Sequence, residues 1–203
     1  MIVEHRGRTP RIDPSATVAP GAIVSGDVVV ESGARILHGA VLTAEDGEVR
    51  IGRESVVLEH AVIRGRAGHP AVVGSHVMVG PHAHVNGATV GDRAFIATGA
   101  SLFPGAVVGE RAEVRVNGVV QVNTALEPGA VVPIGWVAVG SPARILSPDR
   151  HEEIWAIQQA LDFPGTVYGV DRGAGMDELM RRQSVFYSTH DGDRVIDEPD
   201  WRD

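Results

Sequence analysis

Residues 90–132 read VGDRAF IATGAS LFPGAV VGERAE VRVNGV VQVNTA LEPGAV V, and every group of six begins with Val, Ile or Leu. These register positions are Val90, Ile96, Leu102, Val108, Val114, Val120, Leu126 and Val132, and a small residue recurs four places later at Ala94, Ala100, Ala106, Ala112 and Ala130. Neither the helical spacing of 3.6 nor the alternation of an ordinary strand produces a period of six. Strands of roughly two or three residues joined by tight turns do produce it, when three of them close one coil of a prism. Each side then contributes one large aliphatic and one small residue to the interior, and successive coils hydrogen-bond about 4.8 Å apart.

Towards the N-terminus the register continues through Val85, Val79 and Val73, then Ile63, Val57 and Ile51, then Leu42, Ile36, Val30, Val24, Val18 and Ile12. All twenty register positions are aliphatic. With sides A, B and C opened by Ile51, Val57 and Ile63, the breaks after Leu42, Ile63 and Val85 all fall at the C-to-A corner. Segments 43–50 and 64–72 are therefore expected to leave the prism as loops stacked on each other. The B-to-C corner column reads Gly21, Gly39, His60, His82, Gly99, Asn117, Gly135, so two histidines on adjacent coils stand where glycine is usual. Glycine there suits a turn needing φ > 0.

Composition narrows the chemistry. The chain of 203 residues has no cysteine, and all 18 of its basic residues are arginine. Thiol catalysis, Cys-based metal sites, a lysine Schiff base and a Walker-type phosphate loop are thereby excluded. Net charge is −8, half of it from residues 190–203. An acidic chain with scattered arginines lacks the clustered basic face that nucleic acid needs. There is no apolar run long enough to span a bilayer and no secretory leader at 1–6, which predicts a cytoplasmic protein with no membrane partner.

The hexad pattern from about residue 10 to 140 resembles the hexapeptide-repeat superfamily. Within it, Val79-Gly80-Pro81-His82-Ala83-His84-Val85-Asn86-Gly87-Ala88-Thr89-Val90-Gly91 is similar to the metal-binding segment of γ-class carbonic anhydrases. Gly140-Ser141-Pro142-Ala143-Arg144 resembles the superfamily's exit from the solenoid. The resemblance implies an all-β solenoid, a left-handed parallel β-helix of about seven coils, followed by C-terminal α-helices. It also implies a homotrimer acting on a small-molecule substrate, with zinc or iron held by three histidines shared between subunits. Carried over residue by residue, those three ligands fall on Arg64, Pro81 and Asn86. The family's Arg-Gly-Asp segment falls on Thr43-Ala44-Glu45 and its Gln-Asp pair on Leu58-Glu59.

The expected organisation is a lead-in at 1–11, the β-helix at 12–140, a helical appendage at 141–190 and an acidic tail at 191–203. Ser147 and Pro148 read as the cap and first residue of a helix that ends at Phe163-Pro164-Gly165. Ile154, Trp155, Ile157 and Leu161 would form its buried stripe. A second helix over 176–189 would carry Leu179, Met180, Val185 and Phe186, and Trp201 could dock.

Five of the nine histidines lie between residues 51 and 91. One reading makes His60, His82 and His84 ligands of a displaced metal site, with Glu59 or His38 beside them. A second makes His60 and His82 turn residues, since histidine is among the non-glycine residues enriched at positive φ. A third is a metal-free site in which Arg64, Asn86 and a histidine hold an anionic substrate, with Glu59, Arg64 and Asn86 as the catalytic candidates. Glu45, Asp46 and Glu48 read as a solvated charged loop. The corresponding functions are a γ-carbonic-anhydrase-like hydration or hydrolysis enzyme, a non-catalytic trimeric scaffold or binding protein, and a CoA-dependent hexapeptide acyltransferase. The last is disfavoured by the short irregularities.

Overall fold

The computed structural model describes residues 1–196, and the chain forms the left-handed parallel β-helix with a helical appendage. Trp201 and most of the acidic tail lie outside the described residues. Sides A and C join in one 15-stranded sheet, and side B is a 7-stranded sheet of two-residue strands from Thr17–Val18 to Val131–Val132. Register partners match the hexads: Val79 pairs with Ile96 and Val57, and Leu42 with Ile63. All twenty register residues except Ile12 and Val18, in the first coil, are buried. The large side chains Ile36, Leu42, Ile51, Ile63, Ile96 and Leu102 are completely enclosed.

The corners carry the conformational burden. Each of the seven B-to-C corner residues has positive φ, between 55° at Asn117 and 84° at Gly21. A Cβ at Gly39 would also stand 2.3 Å from Nδ1 of His60 on the coil above, so that exposed ring would have to turn aside.

The C-to-A corner differs from expectation. Segment 43–50 is not a loop but part of the continuous strand Val41–Ile51, which turns the corner paired with Ile23–Val30 on one side and with Val62–Gly65 and Ala71–Val73 on the other. The ladder pairs the backbone at 41–44 and again at 49–51, so only the four residues 45–48 at the corner itself lack a register partner. Segment 64–72 does protrude, closing in a tight turn where Arg66 and His69 exchange backbone hydrogen bonds of 2.9 Å. It stacks on the strand below, and Ala67 N–H donates to Asp46 Oδ1 at 2.7 Å.

The lead-in is also structural. Ile2–Glu4 adds a parallel strand beside Ile23–Val30 and pairs antiparallel with Arg194–Ile196, so both ends of the described chain meet on side C. After Val137–Val139 the chain reverses into Arg144–Leu146. Helix α1 is His151–Gln158, starting later than Ser147 predicted because Ser147 Oγ donates to Asp149 and the intervening residues form a turn. Phe163-Pro164-Gly165 does not merely stop it. It opens α2, Phe163–Tyr168, capped by Asp162. Ile154 is buried against Val139 and Leu146, with Ile157 and Leu161 packed beside them, whereas Trp155 is exposed. Helix α3, Met176–Tyr187, buries no residue fully: Met180 and Val185 face solvent, and half-buried Phe186 lies under the guanidinium groups of Arg6 and Arg66. No helix among the described residues is long and apolar enough to cross a membrane.

Candidate functional site

On side C, the residue after each register position forms a polar column: Ser25, Thr43, Arg64 and Asn86 are cross-strand neighbours on four successive strands. The register residues beside them point inward, so these side chains stand on the outer surface by strand alternation. Yet Ser25, Thr43 and Asn86 are buried. Phe163 of α2 packs edge-on against Phe103, the next residue of the column, which brings the appendage down along this ridge.

Arg64 and Asn86 come together here. Arg64 Nε, Asn86 Oδ1, Ser25 Oγ and Gln121 Oε1 are buried without hydrogen-bond partners. Arg64 Nε is 3.9 Å from Glu45 Oε1, close enough for an ion pair and too far for a hydrogen bond. His84, two residues before Asn86 on the same outer face, has its pKa lowered by burial first and by the Arg64 charge second.

The remaining candidates lie at the other edge of side C. His60 and His82 stand at the B-to-C corner, exposed, with φ of 58° and 57° and rings stacked at 5.3 Å. That is the turn geometry of the second reading. Glu59 is half-buried beside them, its carbonyl accepting from His82 N–H at 3.1 Å. His38 Nδ1 lies 2.7 Å from the Pro20 carbonyl. The ligand atoms of His60, His82 and His84 do not converge within one chain, and His84 belongs with Arg64 rather than with the corner pair. With the turn role alone, His82→Gly is expected to change stability by no more than about 1 kcal/mol, since relief of positive-φ strain offsets the added unfolded-state entropy. Urea denaturation measures it, and a larger loss would assign the ring a bonding role.

Glu45 corrects the reading of a solvated charged loop: it is only 3% exposed. Thr43 Oγ1 donates to its Oε1 at 3.0 Å, and its Oε2 lies 2.9 Å from His190 Nε2. His190 Nδ1 in turn lies 2.8 Å from Asp193. Burial opposes charging of the His190 ring, but Asp193 and Glu45 together hold its pKa above the ordinary value. Burial likewise opposes the Asp193 carboxylate, and hydrogen bonds from His190 and His5 outweigh it and lower its pKa. Sequence reasoning singled out neither His5 nor His190. Both lie outside the hexads, so periodicity gave no cue. The only pointer was that Glu45 falls on an acidic position of the family motif.

The fold and its register define a hexapeptide-repeat β-helix protein, and its side C carries a polar ridge. Among solved structures, a hexapeptide transferase family protein from Anaplasma phagocytophilum has a TM-score of 0.53 at 22% identity, covering 91% of this chain and 97% of that one. A putative acetyltransferase from Bacillus cereus gives 0.55 at 19%, covering 93% and 98%. These likenesses bear on the fold alone. No family model matches the chain. Among curated proteins, γ carbonic anhydrase 1, mitochondrial, of Arabidopsis thaliana is 34% identical over 160 residues, 75% of this chain and 56% of that protein. Its γ carbonic anhydrase 2, mitochondrial, is 31% identical over 159 residues, 75% and 55%. The chain thus spans about half the length of the curated relatives it matches. Over its β-helix it is a γ-carbonic-anhydrase-like chain built on the hexapeptide repeat.

Proposed function

We propose that this chain is a γ-carbonic-anhydrase-like homotrimer whose site takes a small planar anion, of the carboxylate or bicarbonate class, on Arg64 and Asn86 at a subunit interface. The observation that carries this reading is the pair of buried, partnerless atoms, Arg64 Nε and Asn86 Oδ1, on adjacent strands of one face. Leaving such groups unsatisfied costs roughly 1–3 kcal/mol each, so an occupant that bonds them is favoured. An anion meets the guanidinium directly, and a protonated oxygen, as in bicarbonate, can donate to Asn86 Oδ1.

The three-histidine metal of the family does not suit the residues that fall on its ligand positions. Arg64 is a cation with a buried N–H and no lone pair to offer, and Pro81 has no donor atom in its side chain. No step of this proposal passes through a metal there. His84 instead supplies a neutral imidazole on the same face, positioned to take a proton from water during hydration or hydrolysis. Trimer assembly is supported by apolar side chains left in the open on and beside side B: Met78, Phe95, Val116 and Ile134, the last 66% exposed, around a groove that also includes Pro81.

Calorimetric titration with acetate and bicarbonate tests the binding. Arg64→Ala should weaken the anion about 10- to 100-fold, the value of a charge-assisted contact. Equal affinity in wild type and Arg64→Ala would sink the reading, as would a monomer in sedimentation analysis at micromolar concentration.

A further inference from the structure

Beside the ridge, three segments distant in sequence bring their side chains to one point. His5 follows the strand Ile2–Glu4, Glu45 lies in Val41–Ile51, and His190 lies in the 3-10 turn Ser188–Gly192. The antiparallel pairing of Glu4 with Arg194 sets Asp193 next to His5. The Asp193 carboxylate engages both rings through Nδ1, at 2.5 Å from His5 and 2.8 Å from His190. The rings are stacked with centroids 4.4 Å apart.

With each Nδ1 taken by the same carboxylate, Nε2 is the nitrogen each ring has left to coordinate with, and that of His190 already pairs with Glu45 Oε2 at 2.9 Å. His190 Nε2 faces Glu45, whereas His5 Nε2 is wholly buried with no partner of any kind. One nitrogen of each ring and one Glu45 oxygen lie within 4.8 Å of one another, the only such group of three among the described residues. Glu45 is prepared in the same way: Oε1 is occupied by Thr43 and approached by Arg64, leaving Oε2.

We propose that His5, Glu45 and His190 form a site for a zinc-class divalent ion that clasps the two ends of the described chain to the second coil. The donor set is two imidazoles and a carboxylate, which selects zinc or cobalt over calcium and magnesium. Each ligand already has the outer hydrogen bond that fixes a coordinating side chain: Asp193 on both histidines and Thr43 on the glutamate. A tetrahedral ion with bonds near 2.1 Å needs donors about 3.4 Å apart, so closure asks for a contraction of the cluster. The proton on His190 Nε2 leaves as the metal enters. His5 and Glu45 are enclosed while the His190 side chain is 35% exposed, so the ion reaches the site past His190. This site adjoins the Arg64–Asn86 anion site through the Arg64–Glu45 ion pair, but the two share no ligand, and zinc binding is read without any anion.

The test is a zinc titration of EDTA-stripped full-length protein in competition with a chromophoric chelator, repeated with cobalt for its visible spectrum. Wild type should bind one zinc per chain, give the intense bands of tetrahedral cobalt, and melt about 5–10 °C higher at zinc one hundredfold above Kd. His190→Ala and Glu45→Gln should each lose at least a hundredfold in affinity, and Asp193→Asn 10- to 100-fold. The double variant His60→Ala, His82→Ala should bind zinc as wild type does. Should Glu45→Gln fail to fold by circular dichroism, His190→Ala carries the test from a partly exposed position. Wild type binding no zinc, or His190→Ala retaining full affinity, overturns the proposal, as does zinc lost only with His60 and His82.

Discussion

Gly65→Ala is expected to destabilise the protein by about 3–5 kcal/mol, which lowers the melting midpoint by roughly 6–20 °C. Gly65 ends the strand Val62–Gly65 at the corner where the coil below swings outward. A Cβ there would lie 2.1 Å from the Gly47 carbonyl oxygen and 2.5 Å from that of Glu48, distances real Cβ atoms essentially never show. Both obstacles are backbone, so no rotamer change relieves them. The strand carrying Gly47 is fixed on either side of the contact, by Ala44 opposite Gly65 and by Val49 opposite Ala71. Relief therefore means breaking ladder hydrogen bonds. Gly7→Ala is the control: nothing lies within 4 Å of its added Cβ, and only the φ of 68° is unfavourable. It should cost about 1–2 kcal/mol. Thermal melts of the two variants separate steric exclusion from backbone strain. Equal losses would show that the close approach at Gly65 is absent in solution.

The contrast between these glycines bears on what a sequence can disclose. The hexads reveal the prism because each register residue needs only its own coil and its two neighbours to be buried. Val79, Ile96 and Val114 obey a local rule repeated every 17 or 18 residues. The corner histidines follow the same rule, and His60 and His82 take the conformation of the glycines above and below them. Glu45 obeys no local rule. It is buried by His190, 145 residues away, brought there because Arg194–Ile196 finds the edge strand Ile2–Glu4. The three residues Arg194–Ile196, outside the repeats, carry too little pattern to announce a strand. The late start of α1 has a related cause: Ser147 has two uses, cap or turn, and here its hydroxyl donates to Asp149 while α1 has no side-chain cap. Arg64 and Asn86 were legible as departures from a family motif, and so was a helical appendage, but not that its Phe163 would seat on Phe103 of their column.

Ile63→Ala should cost about 3–5 kcal/mol, the upper part of the range for truncating a large aliphatic core residue. Ile63 is completely buried, with Leu42 and Val85 directly below and above it in the prism. In a helical protein, neighbouring helices shift to fill part of such a cavity. Here the coil spacing of about 4.8 Å is set by backbone hydrogen bonds on all three sides, so the walls cannot close in. Ile63→Val, losing one methyl group, should cost about 1 kcal/mol. Leu126→Ala, one register step from the last aliphatic position of the repeat and already 4% exposed, should cost nearer 2 kcal/mol, because the end of a solenoid relaxes more freely than its middle. Equilibrium urea unfolding orders the three, and an Ile63→Ala loss below that of Leu126→Ala would contradict a rigid ladder. The same rigidity reaches the surface. Ile63 and Arg64 are consecutive on one strand, and the inward anchor of the first fixes the outward direction of the second. Ile63→Ala should therefore weaken anion binding as well, by less than the loss in Arg64→Ala, since the guanidinium remains and only its placement is loosened.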